Sequence, residues 1–146
     1  MTEEQCITVG TVMTHEVRSI DRMATVRKAI RIMRDTGVSS LAVNRRDAAD
    51  EFGLLSVTDI AREVIARDRS PDRVNVYEIM SKPVLTLPED MNIKYAVRLL
   101  SKFGVSRSLV LDTNRVPCGI VTLRDMVLRH AEGKPEAVTE DPPAAT

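Results

Sequence analysis

A repeat constrains this chain more than any other feature of its sequence. Gly37-Val38-Ser39-Ser40 returns as Gly104-Val105-Ser106-Arg107, 67 positions later. Ile7 to Thr14 returns as Val74 to Ser81 at the same offset, and Gly53 and Asp59 return as Gly119 and Asp125 at an offset of 66. One residue of loop length accounts for the change. An offset this steady across four landmarks identifies a tandem duplication. A unit of roughly 60 residues buries too little surface to stand comfortably alone, so the two units are expected to share a core.

Within a unit the pattern reads as β-α-β-β-α, an α/β (α+β) class. Ile7 to Thr14 is a short extended or turn-like lead segment, followed by a brief strand at Val17 to Ile20. Val26, Ala29, Ile30 and Met33 fall at helical spacing, with Arg27, Lys28, Arg31 and Arg34 on the other face. Gly37 suits the residue that ends such a helix. Strands are expected at Ser40 to Asn44 and Phe52 to Val57, then a helix from Asp59 to about Asp68. In the second unit the helices fall at about Ile93 to Lys102 and Thr122 to His130, flanking the apolar runs Ser108 to Leu111 and Gly119 to Val121. The expected boundaries are a flexible N-terminus at 1–6, units at 7–70 and 71–130, and a disordered tail at 131–146, which carries no periodicity. A pseudo-twofold axis between the units would generate two equivalent clefts, each lined by both.

Charge and composition exclude several function classes. The chain of 146 residues has 21 Lys+Arg against 21 Asp+Glu, so nothing pulls it generally towards nucleic acid or an anionic membrane. Aromatics are 3% and Trp is absent, leaving few rings to stack on single-stranded bases. No apolar run approaches the roughly 20 residues of a membrane span, and the first residues lack an export signal, so a cytoplasmic location is expected. Cys6 and Cys118 read as free thiols. His15 and His130 have no ligand-spaced partners, so no metal site is expected. There is no phosphate-cradling G-x-x-x-x-G-K-[ST] or G-x-G-x-x-G, and no recognisable nucleophile set. The expectation is therefore a protein that is not an enzyme and requires no cofactor.

Chemistry concentrates at Ser56-x-x-Asp59 and Thr122-x-x-Asp125, each following a glycine and two or more residues of an apolar strand. Taken singly, each is close to a capping box, in which the hydroxyl caps the helix and the acid reaches back. A carboxylate there can also accept hydrogen bonds from two vicinal hydroxyls, and charged acceptors make the stronger bonds. The helix start that follows suits an anion. Arg107 and Arg124 add the planar fork that fits phosphate oxygens.

In order, the lead segments Val12-Met13-Thr14 and Ile79-Met80-Ser81, the two Gly-Val-Ser runs and the two glycine-to-aspartate runs resemble a pair of cystathionine β-synthase (CBS) domains, a Bateman module. The resemblance covers about residues 7 to 130. It implies regulatory modules that bind AMP, ADP, ATP or S-adenosylmethionine between the repeats, associate as disc-shaped homodimers and act on a separate effector protein. Carried over by position, it implies one cleft using Asp125, Thr122, Ile120 and Arg107 with Val38, Ser39 and Ala29, to which Arg124 adds charge by its place in the sequence. The second would use Asp59, Ser56 and Leu54 with Val105, Ser106 and Ala96. The acid would take the ribose hydroxyls, apolar residues the adenine and Arg107 a phosphate. Because Ser40 stands where the second repeat has Arg107, the Asp125 cleft is expected to be the phosphate site. Two other readings stay open: a dimerisation and docking module with vestigial clefts, and, third, a nucleic-acid-binding protein. The aliphatic faces Ala61, Val64, Ile65 and Met126, Val127, Leu128 are expected to pair between chains.

Overall fold

The computed structural model describes residues 6–82 and 85–132. It shows the duplication as two three-stranded sheets of the same topology. In the first repeat α1 (Val9–Val12) leads to β1 (Ser19–Ile20), α2 (Val26–Thr36), β2 (Ser40–Val43), β3 (Gly53–Ser56) and α3 (Val57–Ile60), which continues as a π-helical stretch over Ala61–Ile65. The second repeat carries α4 (Val76–Ile79), β4 (Thr86–Pro88), α5 (Ile93–Phe103), β5 (Arg107–Leu111), β6 (Pro117–Thr122) and α6 (Leu123–Glu132). In each sheet the first strand is parallel and the third antiparallel to the middle one.

The lead segments are each one helical turn rather than extended chain. Four residues are too few to show helical periodicity, so the sequence reads them as turns. α6 runs on to Glu132 and takes in the first two residues expected in the tail; residues 133–146 and 1–5 lie outside those described. α2 and α5 end as glycine placement requires: Gly37 (φ 80°) and Gly104 (φ 67°) adopt the left-handed conformation that a side chain resists.

Strand alternation divides the buried residues between three cores. Leu41, Val43 and Leu55 pack against the helices of the first repeat, and Val110 and Val121 against those of the second. The intervening residues Ala42, Leu54, Leu109 and Leu111 meet at the join between repeats, with Ile120 beside them. A middle strand covered on both faces explains why β2 is buried along its whole length, where a half-solvated strand would alternate.

The lead segments are exchanged between repeats. Val9 and Met13 lie in the second repeat's core, and Val74, Val76 and Ile79 in the first's. Backbone bonds fix the exchange: Val9 N–H donates to Met91 and Thr14 N–H to Ile120, while Val76 N–H donates to Ala24 and Ser81 N–H to Leu54. This gives the glycines of the repeated motif their reason. Met80 of one lead segment lies over Gly53, and Met13 of the other over Gly119, where a side chain would collide with the methionine sulfur.

Candidate functional site

The inter-repeat face of the two sheets continues past its apolar centre into a polar rim. Ser40 lies two residues from Ala42 on β2, and Arg107 two from Leu109 on β5, so alternation turns both towards the join. Register sets Ser40 opposite Ser56 and Arg107 opposite Thr122. The rim therefore holds both hydroxyl–acid motifs with one arginine between them. Arg107 Nη1 donates to Ser40 Oγ at 2.6 Å and to Ser39 Oγ at 3.3 Å, crossing from the second repeat to the first.

Leu54, Ser81, Leu85, Gly104, Val105, Ser106 and Arg107 line a cavity of about 260 Å³. Leu54, Val105 and Ser106, expected in the Asp59 cleft, do meet across the repeats, and Arg107 lines the same cavity. Their acid is the other one: Leu123 N–H donates to the Ser106 carbonyl and Arg107 stands opposite Thr122, which sets this cavity beside the Asp125 motif, while Val57 N–H donates to the Ser39 carbonyl and Ser40 stands opposite Ser56, beside the Asp59 motif. By the repeat offset the related surface carries Thr14, Ser39 and Ile120; Val38, expected with them, packs against the first repeat's core and lines the outer groove that contains Ile30, Val57 and Ile65. On the related surface Ile120 exchanges backbone hydrogen bonds with Thr14, as Leu54 does with Ser81. Arg107 serves both sides: it lines one cleft and binds the serines of the other.

The two acids differ. Asp59 closes a capping box: its N–H donates to Ser56 Oγ at 3.2 Å and its carboxylate accepts from Ser56 N–H at 2.9 Å. Thr122 Oγ1 accepts from Asp125 N–H at 3.0 Å, but among the described residues the Asp125 carboxylate accepts no hydrogen bond. Both acids are half-buried. Asp125 is therefore the carboxylate left available for a bound hydroxyl.

Ala29 and Ala96 are each 0% exposed in the helix-side cores, so neither presents a surface to a cleft. Their helical spacing signals core as strongly as site. Arg124 is exposed on α6. Ser81 and Leu85 also line the cavity, and only the exchange of lead segments brings them there, which no local signal in the sequence shows. Arg18, at the offset of Leu85, is held by Glu16 at 2.9 Å. No His, Cys, Asp and Glu cluster suited to a metal occurs among the described residues. Burial pushes the Cys118 thiol up, and Glu89 and Asp112 add to the effect, which disfavours a thiolate nucleophile. No helix of the described residues is long and apolar enough to cross a membrane.

Comparison with known proteins agrees with this architecture. The CBS domain model matches twice, at residues 9–66 and 76–132. An uncharacterized protein of Methanopyrus kandleri is 32% identical over 122 residues, covering 83% of this chain and 61% of the relative. An L-aspartate semialdehyde sulfurtransferase of Methanosarcina acetivorans is 31% identical, but the match covers 78% of this chain and only 22% of that protein. Among solved structures, a hexameric CBS-CP12 protein from bloom-forming cyanobacteria superposes with a TM-score of 0.83 at 27% identity, over 92% of this chain and 75% of the other. A CBS domain pair in complex with 5′-methylthioadenosine and S-adenosyl-L-methionine superposes at 0.74 and 22% identity, over 89% of this chain and all of the other, a likeness of fold. The chain spans 61%, 44% and 40% of the first curated relatives it matches. Two family matches in tandem, on a duplicated fold with exchanged lead segments, establish that the chain belongs to the CBS domain family and forms a CBS pair.

Proposed function

We propose that this CBS pair is a regulatory sensor that binds an adenosine-containing ligand, of the AMP, ADP or ATP class or S-adenosylmethionine, in the clefts between its repeats. The observation that carries the reading is the cavity in which Leu54 meets Val105, Ser106 and Arg107. It offers apolar contact for a base and a cation for phosphate, and the polar rim holds an uncommitted carboxylate, Asp125, for ribose hydroxyls. The adenosyl ligands held by a CBS pair of the same fold support the choice of ligand class. The ligand is a signal rather than a substrate, and the protein has no catalysis of its own. It works in the cytoplasm on a separate effector protein.

The assembly proposed is a homodimer. Its contact surfaces are the apolar grooves that contain Ile30, Val57 and Ile65 on one repeat and Val97 and Val127 on the other. Val64 and Met126, expected on this face, are each 0% exposed and belong to the inner cores, each one residue before an outward side chain, Ile65 or Val127. The closed Ser56–Asp59 box favours the alternative, a docking role without nucleotide, for that cleft alone.

The test is a thermal shift with AMP, ATP, S-adenosylmethionine and adenosine. A ligand at 100 times its Kd adds about 2.7 kcal/mol of stability. A shift with at least one of them is expected; none with any of them contradicts the reading.

A further inference from the structure

The rim of the two clefts holds one guanidinium where the fold has two equivalent places. Position 40 of the first repeat is the counterpart of Arg107, and it is serine. Arg107 lines the Leu54–Val105–Ser106 cavity while its Nη1 donates to Ser39 and Ser40, which stand on the side of Ile120. Its register partner is Thr122, the hydroxyl that caps the Asp125 helix; Ser40, to which it is bonded, is the register partner of Ser56, which caps the Asp59 helix.

From this placement we infer that Arg107 is a single cation shared by the two clefts, so that the chain holds one anionic adenosyl ligand tightly and a second only weakly. The inference rests on the adenosyl-binding reading above.

A guanidinium carries five N–H donors. Among the described residues Nε and Nη2 of Arg107 have no protein acceptor, so the group can grip a phosphate with its remaining donors. The first phosphate to arrive, in either cleft, neutralises it. A second phosphate then meets a compensated cation and a like charge nearby, which disfavours it. Of the arginines at or beside positions related to this cavity by the repeat, Arg18 is paired with Glu16 and Arg124 is exposed to solvent on α6. A neutral ligand makes no demand on Arg107, so the two clefts should take it independently.

The experiment is calorimetric titration of the full chain with AMP and, separately, with adenosine. For wild type the expected result is one tight AMP site per chain and a second weaker by about 10-fold or more, the range for loss of a charged hydrogen bond. Adenosine should show a smaller gap, set only by the closed Asp59 and open Asp125 carboxylates. Arg107→Ser should weaken the tight AMP site and reduce the AMP gap to that of adenosine. Ser40→Arg should supply the missing cation and give two tight AMP sites. Because Ser40 is buried, Arg107→Ser decides the matter if that variant does not fold. An AMP gap in wild type no larger than that for adenosine, or one that Arg107→Ser leaves unchanged, overturns the inference while leaving adenosyl binding standing. Failure of both AMP and adenosine to bind overturns the adenosyl reading and this inference together.

Discussion

Asp59 and Asp125 occupy the same position in their repeats and do different things. Asp59 returns a hydrogen bond to the Ser56 backbone and completes a ring, whereas Asp125 leaves its carboxylate open. Replacing them should separate two properties. Asp125→Ala is expected to weaken adenosine binding by about 1.5–3 kcal/mol, the worth of a charged hydrogen bond, with little change in stability. Asp59→Ala should lower stability by about 0.5–2 kcal/mol, the scale of a lost helix cap. Calorimetry and urea denaturation on both variants check this; the reverse pattern would exchange their roles. The motif was legible in the sequence, but not this difference, because one side-chain torsion decides which way an acid at that position turns. The glycines make a second pair. A β-carbon at Gly119 would overlap the Met13 sulfur and come within 2.9 Å of the Thr14 carbonyl oxygen, which is backbone. At Gly53 it would meet the flexible Met80 sulfur at 2.7 Å and Val43 Cβ at 3.2 Å. Gly119→Ala should therefore destabilise by about 1–3 kcal/mol, and Gly53→Ala by less, as denaturation midpoints can show.

At the scale of elements, the hairpins and long helices were legible because their signals are local. Apolar runs bounded by turn residues marked the strands, and Gly37 and Gly104 marked the ends of α2 and α5. The exchange of lead segments was not legible, since nothing in Val9 or Val76 states which repeat's core it fills. Nor does the sequence show how the loop between β2 and β3 is tied down. Asp50 in that loop pairs with Lys82, just after α4, with the two side chains 11% and 24% exposed. The Lys82 ammonium and the Arg46 N–H hold the Asp50 carboxyl well below the usual carboxylate range. A depressed carboxyl contributes stability above its unfolded pKa of about 3.9 and loses it as pH falls towards the folded value. Asp50→Asn should therefore flatten the acid side of the stability profile below about pH 4 relative to wild type, and leave its slope near neutral pH alone. Urea midpoints measured across acid pH would show it; an unchanged acid slope would remove the pair from the account.

For the whole molecule, the exchange makes the repeats interdependent. A chain cut to residues 1–70 loses Val74, Val76 and Ile79 from its own core while leaving Val9 and Met13 without theirs. It should be unfolded in circular dichroism and amide dispersion, and a folded fragment would contradict the shared core. The duplication itself was legible from the offset alone. What the offset could not give is where the repeats differ: one arginine for two equivalent positions, and one open carboxylate among the two acids. The central claim, an adenosyl ligand held between the repeats, is tested most directly by following backbone amides in NMR spectra during titration with AMP. The account predicts shifts concentrated at Leu54, Ser81, Val105, Ser106 and Arg107, and at the related Thr14, Ser39 and Ile120, with Asp125 among them. Spectra unchanged by AMP at millimolar concentration, or shifts confined to the outer grooves around Ile65 and Val127, would contradict it.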